Sequence, residues 1–390
     1  FWSVMRSGRI ARAACAGVGR YAQGRHHHRE RHRLNHSVLA SVGAAAAVAH
    51  TSQSSHAQTD DGGAEPFVIL SGSSNKELAQ AICNELGITL GDAFTGRFSD
   101  GEMYVGVVED ISEKEVYLVQ PVAPPLSVTF FELCMMISTC RRAAAKRIIA
   151  IIPYYGYGRQ SERRKARAIP AADVARMLEA CGVDAVIAVD LHAGQIQGCF
   201  SPMVPVDDAQ GHVVALDYFI SKGLRRPGVV AFHTNSVALA QRFANGLNRK
   251  GVEDISFALC MRVPRGDAKE KGEAPSEEYE MVGEIRDRDV ILVNDILDTG
   301  ESLCAAVRMV KRCGARRVFA YATHGLFAEG CAEKLRESGV DEVVVTDSVS
   351  IPPEVLALPF VTRISLAQLL SETIRRSVQD DSSFSYVYDD

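Results

Sequence analysis

Residues 289–303 read Asp-Val-Ile-Leu-Val-Asn-Asp-Ile-Leu-Asp-Thr-Gly-Glu-Ser-Leu. Asn294, Asp295 and Asp298 offer polar groups for sugar hydroxyls or a hydrated Mg²⁺. Thr299 and Ser302 add hydroxyl donors, and Gly300 lets the backbone approach an anion closely. Upstream, Val290–Val293 is a continuous apolar run, as in a strand buried on both faces of a parallel sheet. Downstream, Leu303, Val307 and Val310 recur at helical spacing. A polar loop between a strand's carboxyl end and a helix's amino end exposes free backbone N–H groups, to which the helix dipole adds partial positive charge. Donors for a phosphate beside acceptors for a ribose predict a sugar-phosphate cradle. A helix cap needs one such residue; here several cluster.

Three further stretches could carry chemistry. In Gly96-Arg-Phe-Ser-Asp-Gly-Glu102, Phe98 could stack on a base while Asp100 and Glu102 accept its hydrogen bonds, although Asp-Gly turns are also common in hairpins. Residues 153–167 follow an apolar run with an aromatic-glycine turn and then five cations in nine residues, Arg159 to Arg167. That pattern suits a polyphosphate site at least as well as a solvated surface face. In Asp190-Leu-His-Ala-Gly-Gln-Ile-Gln-Gly198, His192 could ligate a metal or contact a phosphate, or serve as a satisfied structural residue.

The elements that must position these loops alternate regularly from Pro66 onward. Strands at Phe67–Leu70, Val116–Val119, Arg147–Ile152 and Ala185–Asp190 are separated by helices at Lys76–Leu86, Ser127–Ala145 and Ala171–Ala180. The cycle then restarts, with strands near Gly228–Phe232, Ile255–Cys260, Val290–Val293, Val318–Thr323 and Glu342–Thr346. A last helix is expected at about Leu366–Ser377. Such alternation predicts an α/β protein of two similar open parallel-sheet domains, 66–210 and 211–390. Ligands should then bind beyond the strands' carboxyl ends.

Residues 1–65 differ in kind. Eight arginines lie between Arg6 and Arg33, Glu30 is the only acid before Asp60, and alanine, serine and histidine fill much of the rest. The segment reads as a targeting peptide of organellar type, a disordered tail or an over-extended reading frame. A net charge of -5 gives no electrostatic case for a nucleic-acid partner. The ten cysteines lack paired metal-type spacing and read as reduced core residues. No apolar run approaches the roughly 20 residues that span a bilayer. A cytoplasmic location is expected, or a mitochondrial one if the Arg-rich start is a transit peptide.

Taken together, residues 66–390 resemble ribose-phosphate pyrophosphokinases (phosphoribosyl pyrophosphate, or PRPP, synthetases) along nearly their whole length. Gly-Arg-Phe-Ser-Asp-Gly-Glu, Tyr-Gly-Arg-Gln, Asp-Leu-His-Ala-Gly-Gln-Ile-Gln-Gly and the Asp-Thr-Gly loop carry the resemblance, with Arg317–His324 and Asp341–Val345. It implies two phosphoribosyltransferase-like domains assembled as a hexamer built from dimers. It also implies Mg²⁺-dependent transfer of the β,γ-diphosphoryl group of ATP to O1 of ribose 5-phosphate, for nucleotide biosynthesis. By this resemblance Phe98, Asp100, Glu102, Arg159 and Gln160 bind ATP, and His192 is associated with metal. Asp295 and Asp298 face the ribose hydroxyls, while Thr299, Gly300 and Ser302 hold the 5-phosphate.

The sequence departs from the family pattern near the chemistry. Met261 and Val263 stand where the family has the lysine and arginine that stabilise the transferring group; Arg262 and Arg265, with Lys269 and Lys271, are substitutes on the same loop. His233 aligns with a family aspartate, Asn294 with the first of two paired acids, and Glu301 with a glycine of the phosphate loop. Ser161 and Glu162 stand where acid and base are usual. Since such transfers depend on cations facing the developing charge, a second reading is a catalytically impaired regulatory subunit that joins active homologues. A third, a phosphoribosyltransferase consuming PRPP, accounts for the Asp-Thr-Gly loop but not for the ATP-like first half.

Overall fold

The alternating apolar runs fold into strands of two parallel sheets, and a computed structural model describes residues 67–162, 168–263 and 278–378. The first sheet has the order β1 (Phe67–Ser71), β4 (Glu115–Val119), β5 (Arg147–Ile152), β6 (Ala185–Val189), β7 (Val206–Ala209), all parallel. A separate antiparallel hairpin, β2 (Ala93–Arg97) with β3 (Met103–Val107), precedes β4. The strands alternate with period 2. Val68, Leu70, Ile148 and Ala150 face one core, and Ile69, Tyr117, Ile149 and Ile151 the other.

Helices α2 (Leu126–Arg142) and α3 (Pro170–Cys181) cover the first of these faces. Helix α1 (Lys76–Leu86) covers the second, capped at its start by Asn75, whose Oδ1 accepts from the Leu78 N–H at 3.2 Å. Its companion on that face comes from the far end of the chain. Helix α9 (Ala367–Val378) lays Leu370 and Ile374 into the same cluster as Leu78 and Ile82.

The second sheet has the order β10 (Glu278–Val282), β9 (Ser256–Val263), β8 (Gly228–Ala231), β11 (Asp289–Leu297), β12 (Arg317–Gly325), β13 (Glu342–Thr346), β14 (Val361–Ile364). It is parallel, as expected, with one antiparallel pairing added at the β10–β9 edge. Helices α4 (His212–Ser221) and α5 (Val237–Arg249) pack on one face. Helices α6 (Glu301–Arg312) and α7 (Cys331–Ser338) pack on the other. A short α8 (Pro353–Leu356) precedes β14.

From β8 the chain crosses through α5 to β9 on one side, and from the adjacent β11 it crosses through α6 to β12 on the opposite side. The point between β8 and β11 is therefore the switch point at which open α/β sheets bind ligands. Strand β11 is longer than its apolar run. Pairing with β12 continues through Ile296↔His324 and Leu297↔Gly325. Asn294 and Asp295 thus sit on the strand, and the loop begins only at Asp298. Among the described residues, no helix is long and apolar enough to cross a membrane.

Candidate active site

A cleft of about 510 Å³ opens at the switch point. Its floor is the carboxyl end of β11 and the turn into α6, from Asn294 to Leu303, and its wall is Phe232–Asn235 beyond β8. Arg159 and His192, from the loops after β5 and β6 of the first sheet, reach in from the other half. A second cleft of about 450 Å³ runs along Arg159, Gln160, Ser161 and Glu162 to His192–Gln195. Arg159, His192 and Asn235 line both.

Gly300 precedes α6 with φ +74, a conformation that favours glycine. A Cβ there would meet Cys331 Sγ at 3.0 Å. The first turn of a helix leaves N–H groups without intrahelical partners, and Thr299, Gly300 and Ser302 line the cleft at that turn. Glu301, whose charge stands next to this cradle in sequence, turns outward. Its side chain is 73% exposed and accepts from Lys334 Nζ at 2.9 Å, a bond that also holds its carboxyl below the usual range. Glu301 is thus paired outside the cleft.

The acids of the loop are partnered by the opposite half. Arg159 Nη1 donates to Asp298 Oδ2 at 2.7 Å. Burial tends to lower the Arg159 pKa, but the hydrogen bond to Asp298 outweighs it and holds the guanidinium charged. His192 Nδ1 lies 2.5 Å from Asp295 Oδ2. Burial pushes the Asp295 carboxyl up, yet the hydrogen bond and charge of His192 bring it below its ordinary value. Beneath these pairs, Thr323 Oγ1 donates to Asp190 Oδ2 at 2.5 Å, and the His324 ring lies 5.0 Å from that of Tyr154. Asn294 turns back on its own strand, donating from Nδ2 to Ile296 O at 2.7 Å.

The fit to Mg²⁺ can be tested on these side chains. Mg²⁺ takes near-octahedral oxygen ligands, commonly one or two carboxylates plus substrate phosphates. Among the described residues, no three His, Cys, Asp or Glu side chains are grouped as a metal site requires. His192 gives Nδ1 to Asp295, and its Nε2 faces the Asn235 amide nitrogen at 3.5 Å. These residues do not fit a resident Mg²⁺ ion held by protein alone.

Not every residue read from the sequence reaches the clefts. Asp295, Asp298, Thr299, Gly300, Ser302, Arg159 and His192 share the first, and Gln160 joins Arg159 and His192 in the second. Phe98, Asp100 and Glu102 line neither. They form the tip of the β2–β3 hairpin rather than a loop at the parallel strands' ends. There Asp100 Oδ1 accepts from the Glu102 N–H at 3.0 Å, and Phe98, 58% exposed, packs its ring 5.0 Å from that of Tyr104. Met261 and Arg262 lie on β9, opposite Glu280 and Tyr279 of β10, and line neither cleft. The backbone of Val263 ends β9, while Arg265, Lys269 and Lys271 lie outside the described residues. Thr234 and Asn235 line the first cleft without having been singled out in the sequence; they follow a strand's carboxyl end, the signal that identified the other loops.

The fold and cleft define an α/β protein of two parallel-sheet halves with a polar cleft lined by residues of both. Residues 67–182 match the family model described as the N-terminal domain of ribose phosphate pyrophosphokinase, and residues 228–389 match the phosphoribosyl synthetase-associated domain. A ribose-phosphate pyrophosphokinase of Vibrio parahaemolyticus is 41% identical over 317 residues, covering 80% of this chain and 96% of its own. One from Buchnera aphidicola subsp. Schizaphis graminum is 39% identical over the same coverage. The crystal structure of phosphoribosylpyrophosphate synthetase from Mycobacterium smegmatis superposes with a TM-score of 0.72 at 29% identity, over 80% of this chain and 99% of that one. The chain belongs to the ribose-phosphate pyrophosphokinase family.

Proposed function

We propose that the protein is a ribose-phosphate pyrophosphokinase, transferring the β,γ-diphosphoryl group of ATP to O1 of ribose 5-phosphate to give PRPP and AMP. The observation that carries this reading is the meeting of two clefts at Arg159 and His192. The first holds a phosphate cradle with acids beside it, as a sugar phosphate requires. The second offers Arg159 and Gln160 to a polyphosphate. The 5-phosphate rests on the N–H groups of Thr299–Ser302 and their hydroxyls, and the ribose hydroxyls donate to Asp295 and Asp298. Any Mg²⁺ would come with ATP and supply positive charge to its phosphates, and His192, which lines both clefts, would stand beside the polyphosphate. Arg159 supplies positive charge between the clefts, where charge develops during transfer.

The exposed tip carrying Phe98, Asp100 and Glu102 lines neither cleft of its own chain. We assign it to the adenine in the cleft of a neighbouring copy, within a hexamer built from dimers. The domain boundary is placed near residue 210, between β7 and α4, with residues 1–65 as a separate extension. The location is cytoplasmic, or organellar if that extension is a transit peptide.

Met261 and Val263 favour the second reading, a regulatory subunit that binds active homologues, because neither can face a transferring diphosphoryl group with a cation. AMP and PRPP formation by the purified chain, given Mg²⁺, ATP and ribose 5-phosphate, separates the two. Steady turnover supports the enzyme. No turnover, with ATP bound and a lysine-containing homologue recovered in the same assembly, supports the subunit.

A further inference from the structure

His233 stands at the carboxyl end of β8, directly before a three-residue 3₁₀ turn, Thr234–Ser236. The backbone closes that turn, the Ser236 N–H donating to the His233 carbonyl at 3.1 Å, while Ser236 Oγ accepts from the His233 N–H at 3.2 Å. The other end of the ring crosses to the loop before α6, where His233 Nε2 lies 3.0 Å from Ser302 Oγ. A neutral imidazole carries its proton on one nitrogen only, so as the Nε2–H tautomer the ring donates to Ser302 Oγ. Burial and the neighbouring His192 act against protonation of this ring, and Asp295 acts in favour; the balance lies below the ordinary histidine pKa.

We infer that His233 is a positioning residue for the 5-phosphate: it fixes Ser302 Oγ as acceptor of the Nε2–H, which leaves the serine's own proton to be donated into the phosphate cradle. A serine hydroxyl donates once and accepts twice. Left alone, Ser302 divides its proton between solvent and the cradle. With an N–H directed at its lone pair, the proton points away from the imidazole, and His233 and Ser302 both line the cleft. A residue at the carboxyl end of one strand thereby sets the polarity of an anion site on the next. This rests on the reading of the cradle as the seat of ribose 5-phosphate, and it adds a recognition residue to that seat.

Substitution separates the ring from the hydroxyl. In His233→Asn, the backbone bonds to Ser236 can remain, but the shorter side chain removes the ring donor to Ser302. Ser302→Ala removes the hydroxyl. Calorimetric binding of ribose 5-phosphate and of inorganic phosphate by the full chain should weaken on the order of tenfold in either variant, the scale of one hydrogen bond to a charged group. The double variant should be no weaker than either single one, and ATP affinity should keep its wild-type value. Proton-nitrogen NMR of the histidine-labelled wild type, with His233 assigned by its loss in the Asn variant, should show the Nε2–H tautomer. A His233 proton on Nδ1, additive losses, or His233→Asn binding within about twofold of wild type would overturn the inference alone. A wild-type chain that binds neither ligand would overturn the cradle reading with it. If His233→Asn fails to fold, Ser302→Ala and the wild-type tautomer decide.

Discussion

Arg159 of the first half donates to Asp298 of the second at 2.7 Å, and the two clefts meet at this pair. Both side chains are partly solvated, so the pair itself should add only about 1 kcal/mol or less to stability. Its weight falls on catalysis. Arg159→Ala should lower kcat by about 10²–10³ while the unfolding midpoint barely moves. Steady-state assay beside thermal unfolding checks both halves; a fall in stability with turnover retained would remove Arg159 from the transfer step.

Gly300 should resist every side chain. A Cβ meets Cys331 Sγ at 3.0 Å, and φ +74 strains any L-residue. Gly300→Ala should cost about 1–3 kcal/mol in denaturant unfolding and weaken ribose 5-phosphate binding. An unchanged midpoint would show that the loop yields freely.

Glu301 gives the opposite expectation. Because it is exposed and paired with Lys334 outside the cradle, Glu301→Gln should leave the KM for ribose 5-phosphate within about twofold. A large improvement in KM would mean that its charge reaches the phosphate after all.

These local outcomes bear on how much could be read from sequence. The buried strands and their helices were legible because their apolar runs are unbroken, and the cleft-lining turn because Thr299, Gly300 and Ser302 follow such a run. The extension of β11 was not. Asn294 and Asp295 look like loop residues, and only the long partner β12 draws them into the sheet. Strand β7 was equally hidden, since Asp207 and Asp208 interrupt its apolar character. Strands β10 and β14 are short edge elements, each paired only with the strand before it, and too brief to show a clear period. The pairing of His192 with Asp295 spans 103 positions, and periodicity carries no information about such contacts.

Asp190 predicts a pH effect on stability. Burial first, and the neighbouring Asp208 charge second, raise its pKa from 3.8 to about 7; Thr323, Arg242 and the Gly211 N–H work in the opposite direction. Below pH 3.8 the carboxyl is protonated in both states and costs nothing. Between that value and about 7 the unfolded chain gives up its proton while the fold retains it, so stability falls as pH rises, and the loss is complete above the folded pKa. Asp190→Asn keeps an acceptor for Thr323, and asparagine tolerates the positive φ of 42 at this position. Unfolding free energies measured from pH 4 to 8 should show this component, a few kcal/mol, absent in the variant. Parallel curves for the two proteins would mean that Asp190 titrates near its ordinary value.

If the apolar substitutions on β9 limit turnover, Met261→Lys with Val263→Arg should raise kcat by roughly 10²-fold or more. No gain would shift the defect to His233 or Asn294.

Helix α9 ends at Val378, yet the face it covers belongs to the sheet that opens with Phe67. On a ribosome, Leu78 and Ile82 of α1 must wait for Leu370 and Ile374 before their core closes. At about 5–20 residues per second the interval is on the order of 15–60 s. During that time the first half presents an open apolar groove, a ready landing place for a chaperone. The second half, whose sheet closes from its own helices, can finish first. Nascent chains released before α9 should therefore carry a finished cradle on an unfinished nucleotide half.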